Sequence, residues 1–164
     1  MAIKFIPSTG MVLMCNFDTG FVPPEMTKIR HVIIISPRYR RYNGTCLVVP
    51  FSTVAPNPVE PFHYRIPANK YTFFKKDTDI WVKGDLVSHI AVSRLDRVLC
   101  DGKYSSPSVN PDDLKCIQLA VWNALGRPEI NVQATPQNGG RIIDVKATEV
   151  KIVTSTIDIP DSSK

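Results

Sequence analysis

Ile29-Arg30-His31-Val32-Ile33-Ile34-Ile35-Ser36-Pro37 (IRHVIIISP) is the stretch that decides the fold. Four consecutive β-branched residues favour extended backbone over helix. The run is apolar at both parities, so a strand here has no face left for water and belongs inside a sheet. Pro37 closes it, because proline has no N–H to give a ladder. Arg30 stands at the mouth of this strand, with His31 beside it.

Working outward, residues 11–17 (MVLMCNF) form a short apolar run before Asp18, Gly20, Pro23 and Pro24. That pattern predicts a buried strand followed by a long loop. On the other side, Asn43 and Gly44 offer a turn into residues 45–53 (TCLVVPFST), read as the antiparallel neighbour. Further strands are expected at 62–66, 79–87 and 89–93. Short strands at this spacing predict a small barrel or sandwich. One helix is expected over 111–125. Asn110 suits its cap, Pro111 its first position, and Asp112 and Asp113 the positive end of its dipole. Leu114, Ile117, Val121 and Leu125 recur at helical spacing, and Gly126 and Pro128 stop it. Beyond it, residues 130–134 and 141–159 read as strands around the turn signal Gln137-Asn138-Gly139-Gly140. The expected organisation is a mainly β domain over 1–126, with a C-terminal helix, and a β-rich extension over 127–164.

With 14 prolines against 8 glycines in 164 residues, the composition favours strand ends and turns over long helices. The net charge is +5. Residues 127–164 carry five basic and five acidic side chains, so the whole excess lies in the first 126 residues. A polyanion site is expected there. Cys15, Cys46, Cys100 and Cys116 have no knuckle or redox spacing. Reduced thiols, the lack of a signal-like apolar core in residues 1–7 and the lack of a long apolar run predict a cytoplasmic protein with no membrane partner.

There is no glycine-rich phosphate loop, no HExxH and no GxSxG. His31, His63 and His89 have no helical pairing, so no metal or cofactor is expected. What remains is arginine and hydroxyl chemistry. An arginine held at a strand mouth binds phosphate bidentately, and a hydroxyl at the end of the next strand, Ser52 or Thr53, comes near it in an antiparallel pair. The alternative is that Arg30 pairs with Glu25 or Asp18 and Ser52 closes a turn. Arg38-Tyr39-Arg40-Arg41-Tyr42 is the densest basic and aromatic segment. It reads either as a site for phosphates and unpaired bases or as a solvated hairpin turn. Asp85, Ser88, His89, Arg94 and Arg97 form a second polar set, in which His89 has acid–base character.

These residues, in order, resemble the MazF/PemK-like toxin family of toxin–antitoxin systems. The matching pieces are Gly10-MVLMCNF-Asp18, then Lys28-Ile29-Arg30-His31 through Ser36-Pro37, then Pro50-Phe51-Ser52-Thr53, then Asp85 through Arg97, and the closing helix. The resemblance covers roughly residues 8–126. It implies an SH3-like small barrel, a homodimer and a cognate antitoxin. It also implies a metal-independent, sequence-selective endoribonuclease that cleaves single-stranded RNA by 2′-hydroxyl attack. By position, Arg30 would be the catalytic arginine and Ser52 its hydroxyl partner. Glu25 falls in the loop that relatives use near the substrate. Lys28, His31, Arg38, Arg40, Arg41, Thr53 and Asp85 are the further candidates for substrate contact. Three departures stand out: His31 where the family usually has proline, Ser52 where threonine is common, and Pro23-Pro24 in the loop over 21–27. A non-catalytic barrel of the same fold that inhibits a protein target of the gyrase type, or an RNA-binding module, is the alternative. Retention of both Arg30 and Ser52 weighs against it.

Overall fold

Among the described residues, nine strands and one α-helix form in chain order. They are β1 (Val12–Cys15), β2 (Arg30–Ile34), β3 (Thr45–Ser52), β4 (His63–Ile66), β5 (Ile80–Lys83), β6 (Ser88–Ala91), β7 (Leu95–Asp96), β8 (Val98–Cys100), β9 (Lys103–Ser105) and α1 (Pro111–Ala124). The computed structural model describes residues 2–18, 20–23, 25–37 and 44–126. The chain divides into a unit spanning Met1–Arg127 and a second spanning Pro128–Lys164. The strands expected at 130–134 and 141–159 lie outside the described residues. So do Asn43 and the 38–42 segment with Arg38, Arg40 and Arg41.

The main sheet is antiparallel throughout, in the order β4-β5-β3-β2-β1-β7, with β6 also on β3. β3 organises it. One edge pairs with β2, at Ile34↔Val48 through Val32↔Pro50. The other edge pairs first with β6 over Thr45–Val48 and then with β5 at Phe51 and Ser52. Pro50 falls where β3 exchanges one partner for the other, a gap in which a missing N–H breaks no ladder. Two partners on one edge curl the sheet into a half-barrel, in keeping with the small barrel expected from strand spacing.

Alternation gives the sheet two apolar faces. Val12, Ile33, Val49, Phe51 and Val82 pack under Ile117 and Val121 of α1. Leu13, Cys15, Val32, Ile34, Cys46, Val48, Ile90 and Leu95 fill the inner face. Val32, Ile33 and Ile34 are fully buried, which confirms β2 as a central strand. Each such side chain stabilises by roughly 1.5–3 kcal/mol relative to exposure.

Two expected strands are shorter than their apolar runs. The 79–87 segment is strand only over β5 and then tightens into a 3-10 turn, Gly84–Leu86. The 89–93 segment ends at Ala91 in a second such turn, Val92–Arg94. Gly84 explains the first. A Cβ there would lie 2.8 Å from the Ala120 backbone and 2.9 Å from the Phe62 carbonyl oxygen, so helix and turn meet closely only at glycine. The β8–β9 hairpin turns through Asp101 and Gly102, both at positive φ. An Asp-Gly pair flanked by strand residues carries that turn in the sequence itself.

Helix α1 starts as its sequence predicts. Asn110 Oδ1 accepts from the Asp113 N–H at 2.7 Å, and proline occupies the first turn. Leu125 departs from expectation: it is the cap residue beyond the last helical turn and is exposed. Asp113 does more than complement the dipole. Its carboxylate is buried and accepts from Tyr64 Oη (2.7 Å), Lys70 Nζ (2.6 Å) and Tyr71 Oη (2.6 Å). This cluster pins the β4–β5 connection to the helix start. Burial opposes the charge on Asp113, but bonds from Lys70, Tyr71 and Tyr64 outweigh it and hold the carboxyl below its ordinary value. Burial, and then its bond to the Asp113 carboxylate, push Tyr71 up to about 12.

Two outcomes follow from this packing. Gly84→Ala should lower stability by about 1–3 kcal/mol through overpacking, read as a fall in the denaturation midpoint. A carboxyl depressed in the folded state stabilises above its unfolded value of about 4 and loses that contribution as pH falls through the folded one. Asp113→Asn should therefore destabilise by about 1–3 kcal/mol at pH 7 and flatten the decline in urea midpoint below pH 4.

Candidate active site

The register of the sheet assembles a row of side chains at one end of the inner face. Leu95 pairs with Cys15, and Cys15 with Arg30. The last β2–β3 pair is Val32↔Pro50, and Arg30 and Ser52 each lie two residues beyond it on these adjacent strands. Ser52 then pairs with Trp81, and Trp81 with Arg65. Strand period places all of these on the face opposite the helix, because their neighbours Ile33, Phe51, Ile80 and Val82 belong to the helix-side core. The sequence singles out Arg30 and Ser52 in this row but not Trp81 or Arg65. The alternation Ile80-Trp81-Val82 carried a signal for Trp81's face, whereas its neighbours across the sheet depend on register.

Arg30 is half-buried, and among the described residues its guanidinium has no hydrogen-bond or ion-pair partner; Nε is buried with none. The pairing with Glu25 or Asp18, left open by the sequence, does not occur. Glu25 instead closes its own loop, its Oε2 accepting from the Val22 N–H at 2.7 Å. Asp18 donates its N–H to Asn16 Oδ1 at 2.8 Å. Nor can the neighbouring thiol serve as a counter-ion. Burial pushes Cys15 up to about 12, although Arg94 pulls the other way. A buried donor without an acceptor costs about 1–3 kcal/mol, so the site favours an anionic oxygen. Ser52 does close a turn: its Oγ accepts from the Val54 N–H at 3.1 Å and lies 3.3 Å from the Val54 carbonyl. Its single proton points to that carbonyl over a long bond, and a hydroxyl rotor can turn it to a nearer anionic oxygen.

The loop between β1 and β2 is rooted beside this row. Phe17 and Phe21 meet edge to face at 5.0 Å, and Phe21, like Met26, packs on the inner core. The Arg94 guanidinium lies 5.5 Å from the Phe21 ring centroid and donates to the Asn16 carbonyl at 3.2 Å. Lys28 is exposed on the strand approach, and Thr53 is exposed just beyond β3.

Other candidates stand apart from Arg30. His31 pairs with Met14 and faces the helix-side core, where its ring meets Phe74 edge-on at 5.4 Å. Strand alternation thus puts it on the opposite side of β2 from Arg30. Asp85, in the 3-10 turn beside α1, lies 3.9 Å from His63 Nε2. His89 is exposed on β6, and Arg97 lies 5.7 Å from the Phe5 ring centroid. The second polar set is therefore dispersed. Among the described residues, no three His, Cys, Asp or Glu side chains are grouped to hold a metal ion. No described helix is long and apolar enough to cross a membrane.

Residues 8–118 match the family described as PemK-like, MazF-like toxins of type II toxin–antitoxin systems. The chain belongs to that family. The match spans the row from Cys15 to Trp81 and most of α1. The chain is also similar to YifN, a putative uncharacterized protein of Escherichia coli K12. The two are 30% identical over 145 residues, covering 76% of this chain and 95% of the relative. Among solved structures, MazF from Deinococcus radiodurans superposes with a TM-score of 0.56 at 19% identity, covering 75% of this chain and 99% of that one. A mycobacterial endoribonuclease in complex with its cognate antitoxin superposes at 0.53 and 21% identity, covering 75% and 98%. These likenesses place the fold with the MazF toxins.

Burial lowers the His31 pKa from its ordinary value. A histidine depressed in the folded state binds its proton more readily when unfolded, so stability falls as pH drops below about 6.5. The His31 ring should titrate below that value by NMR. His31→Phe should remove this part of the stability loss between pH 7 and pH 5, measured by urea midpoint.

Proposed function

We propose that this toxin is a metal-independent endoribonuclease that cleaves single-stranded RNA. The observation that carries the reading is Arg30. Its guanidinium is half-buried, its Nε is buried without a described partner, and it lies two residues beyond the Val32↔Pro50 pair on β2, as Ser52 does on β3. In the reaction, the ribose 2′-oxygen attacks the adjacent phosphorus and forms the O2′–P bond. The P–O5′ bond breaks, and the net reaction moves the 2′ proton to the 5′-oxygen. The products are a 2′,3′-cyclic phosphate and a 5′-hydroxyl end. Arg30 and Ser52 donate to the equatorial oxygens as the phosphorane gains charge. Donors held in place before the reaction stabilise that charge without reorganising. Glu25 and Lys28, on the loop and strand approach, contact the flanking RNA, as do Thr53 and the basic residues of 38–41. The toxin acts as a homodimer and is restrained by an antitoxin. A structural relative, the mycobacterial endoribonuclease, is in complex with its cognate antitoxin, which supports that partner.

Purified protein should cleave single-stranded RNA in excess EDTA and leave cyclic-phosphate and 5′-hydroxyl ends. Arg30→Ala should lower kcat about 10²–10³-fold, as loss of one charge-stabilising donor does. Ser52→Ala should lower it less, and Ser52→Thr should restore it. Cleavage that requires magnesium, or survives Arg30→Ala, would exclude this mechanism. Growth inhibition that persists in Arg30→Ala would point to a protein target instead.

A further inference from the structure

We infer that Trp81 is a stacking platform for a nucleobase next to the phosphate held by Arg30 and Ser52. The inference rests on the endoribonuclease reading and assigns that site a base-binding position. Ile80 and Val82 are buried under α1, so Trp81 projects from the other face of β5. The inner core draws on β7, β1, β2, β3 and β6 but takes no residue from β4 or β5. Trp81 is half-buried, belongs to neither core, and among the described residues has no ring or hydrogen-bond partner. An indole brings a large apolar area and ordinarily finds packing and an acceptor for its N–H. This one joins neither core and, among the described residues, has no acceptor for its N–H.

Its surroundings say what it fits. Ser52 is its cross-strand neighbour on one side and Arg65 on the other. Two strand spacings separate its backbone from Arg30, about 10 Å, which leaves the indole within reach of an adjoining nucleotide's base. Lys83 lies on the same face two residues along the strand. Arg65 is 58% exposed and is tied through Nε to Asp79 at 2.7 Å, a bond that does not use its terminal nitrogens. An unpartnered aromatic ring among cations is the composition that binds single strands, with phosphates on the cations and a base on the ring. A protein-docking surface would instead continue the apolar area around the indole, and Arg65 and Lys83 interrupt it here.

The test uses Trp81 as its own probe. The chain has two tryptophans, Trp81 and Trp122, so Trp122→Phe leaves a single indole. A mixed-sequence single-stranded DNA 12-mer, which lacks the 2′-hydroxyl and cannot be cleaved, should quench its fluorescence. Base-free inorganic polyphosphate should not. In RNA cleavage, Trp81→Ala should raise KM roughly 5- to 100-fold with kcat nearly unchanged, and Trp81→Phe should retain most of the affinity. A thermal midpoint in Trp81→Ala unchanged from wild type separates this loss from a folding defect. Absence of quenching, equal quenching by polyphosphate, or an unchanged KM in Trp81→Ala would overturn the inference and leave this face to a protein partner. If the wild type cleaves no RNA, the endoribonuclease reading fails while the quenching result still decides Trp81.

Discussion

The structure depends on the way strand β3 is paired. Its β2 edge is continuous, while its other edge is shared between β6 and β5, with Pro50 at the exchange. Shifting β3 by one residue against β2 would turn Val48 and Val49 to the wrong cores, and with both faces buried no such slip is tolerated. The same register that satisfies the cores directs the Ser52 end of β3 along the Arg30 end of β2. Positioning the site and packing the sheet are therefore one constraint.

A second set of contacts holds this arrangement from behind. Asp113 gathers Tyr64, Lys70 and Tyr71 at the start of α1. The segment so pinned carries Phe74, whose ring meets His31 at 5.4 Å and Phe51 at 4.8 Å. Those two are the chain neighbours of Arg30 and Ser52. The strand ends that bear the site are thus backed by a buried aromatic cluster. His31, where relatives usually have proline, contributes packing on the side away from Arg30, so the departure leaves the guanidinium's own face unchanged.

Electrostatically, the site is defined by what Arg30 lacks. Of its two candidate carboxylates, Glu25 is used on the Val22 N–H, and among the described residues Asp18 does not pair with it either. The neighbouring Cys15 thiol stays neutral because burial opposes its ionisation. An unpaired cation at the end of an apolar strand has its strongest attraction for an incoming anion, because little solvent and no internal carboxylate competes for it. This is the physical sense in which family membership and local geometry agree.

Much of this was legible in the sequence, for reasons that are local. β-branching and apolarity at both parities determine that residues 30–34 form a central strand. Asn110-Pro111 starts the helix through cap and φ preferences. Period two alone puts Arg30 and His31 on opposite faces, and Asp101-Gly102 alone marks a hairpin. None of these needs a partner segment. Tertiary structure decided the rest. That the Ser52 end of β3 runs beside the Arg30 end of β2, that Trp81 and Arg65 continue across the sheet from Ser52, and that Asp113 is a buried acceptor are relations between segments distant in the chain. That Gly84 must lack a side chain depends likewise on where α1 crosses it. Register and close approach are properties of two surfaces at once, and neither sequence contains the other's position.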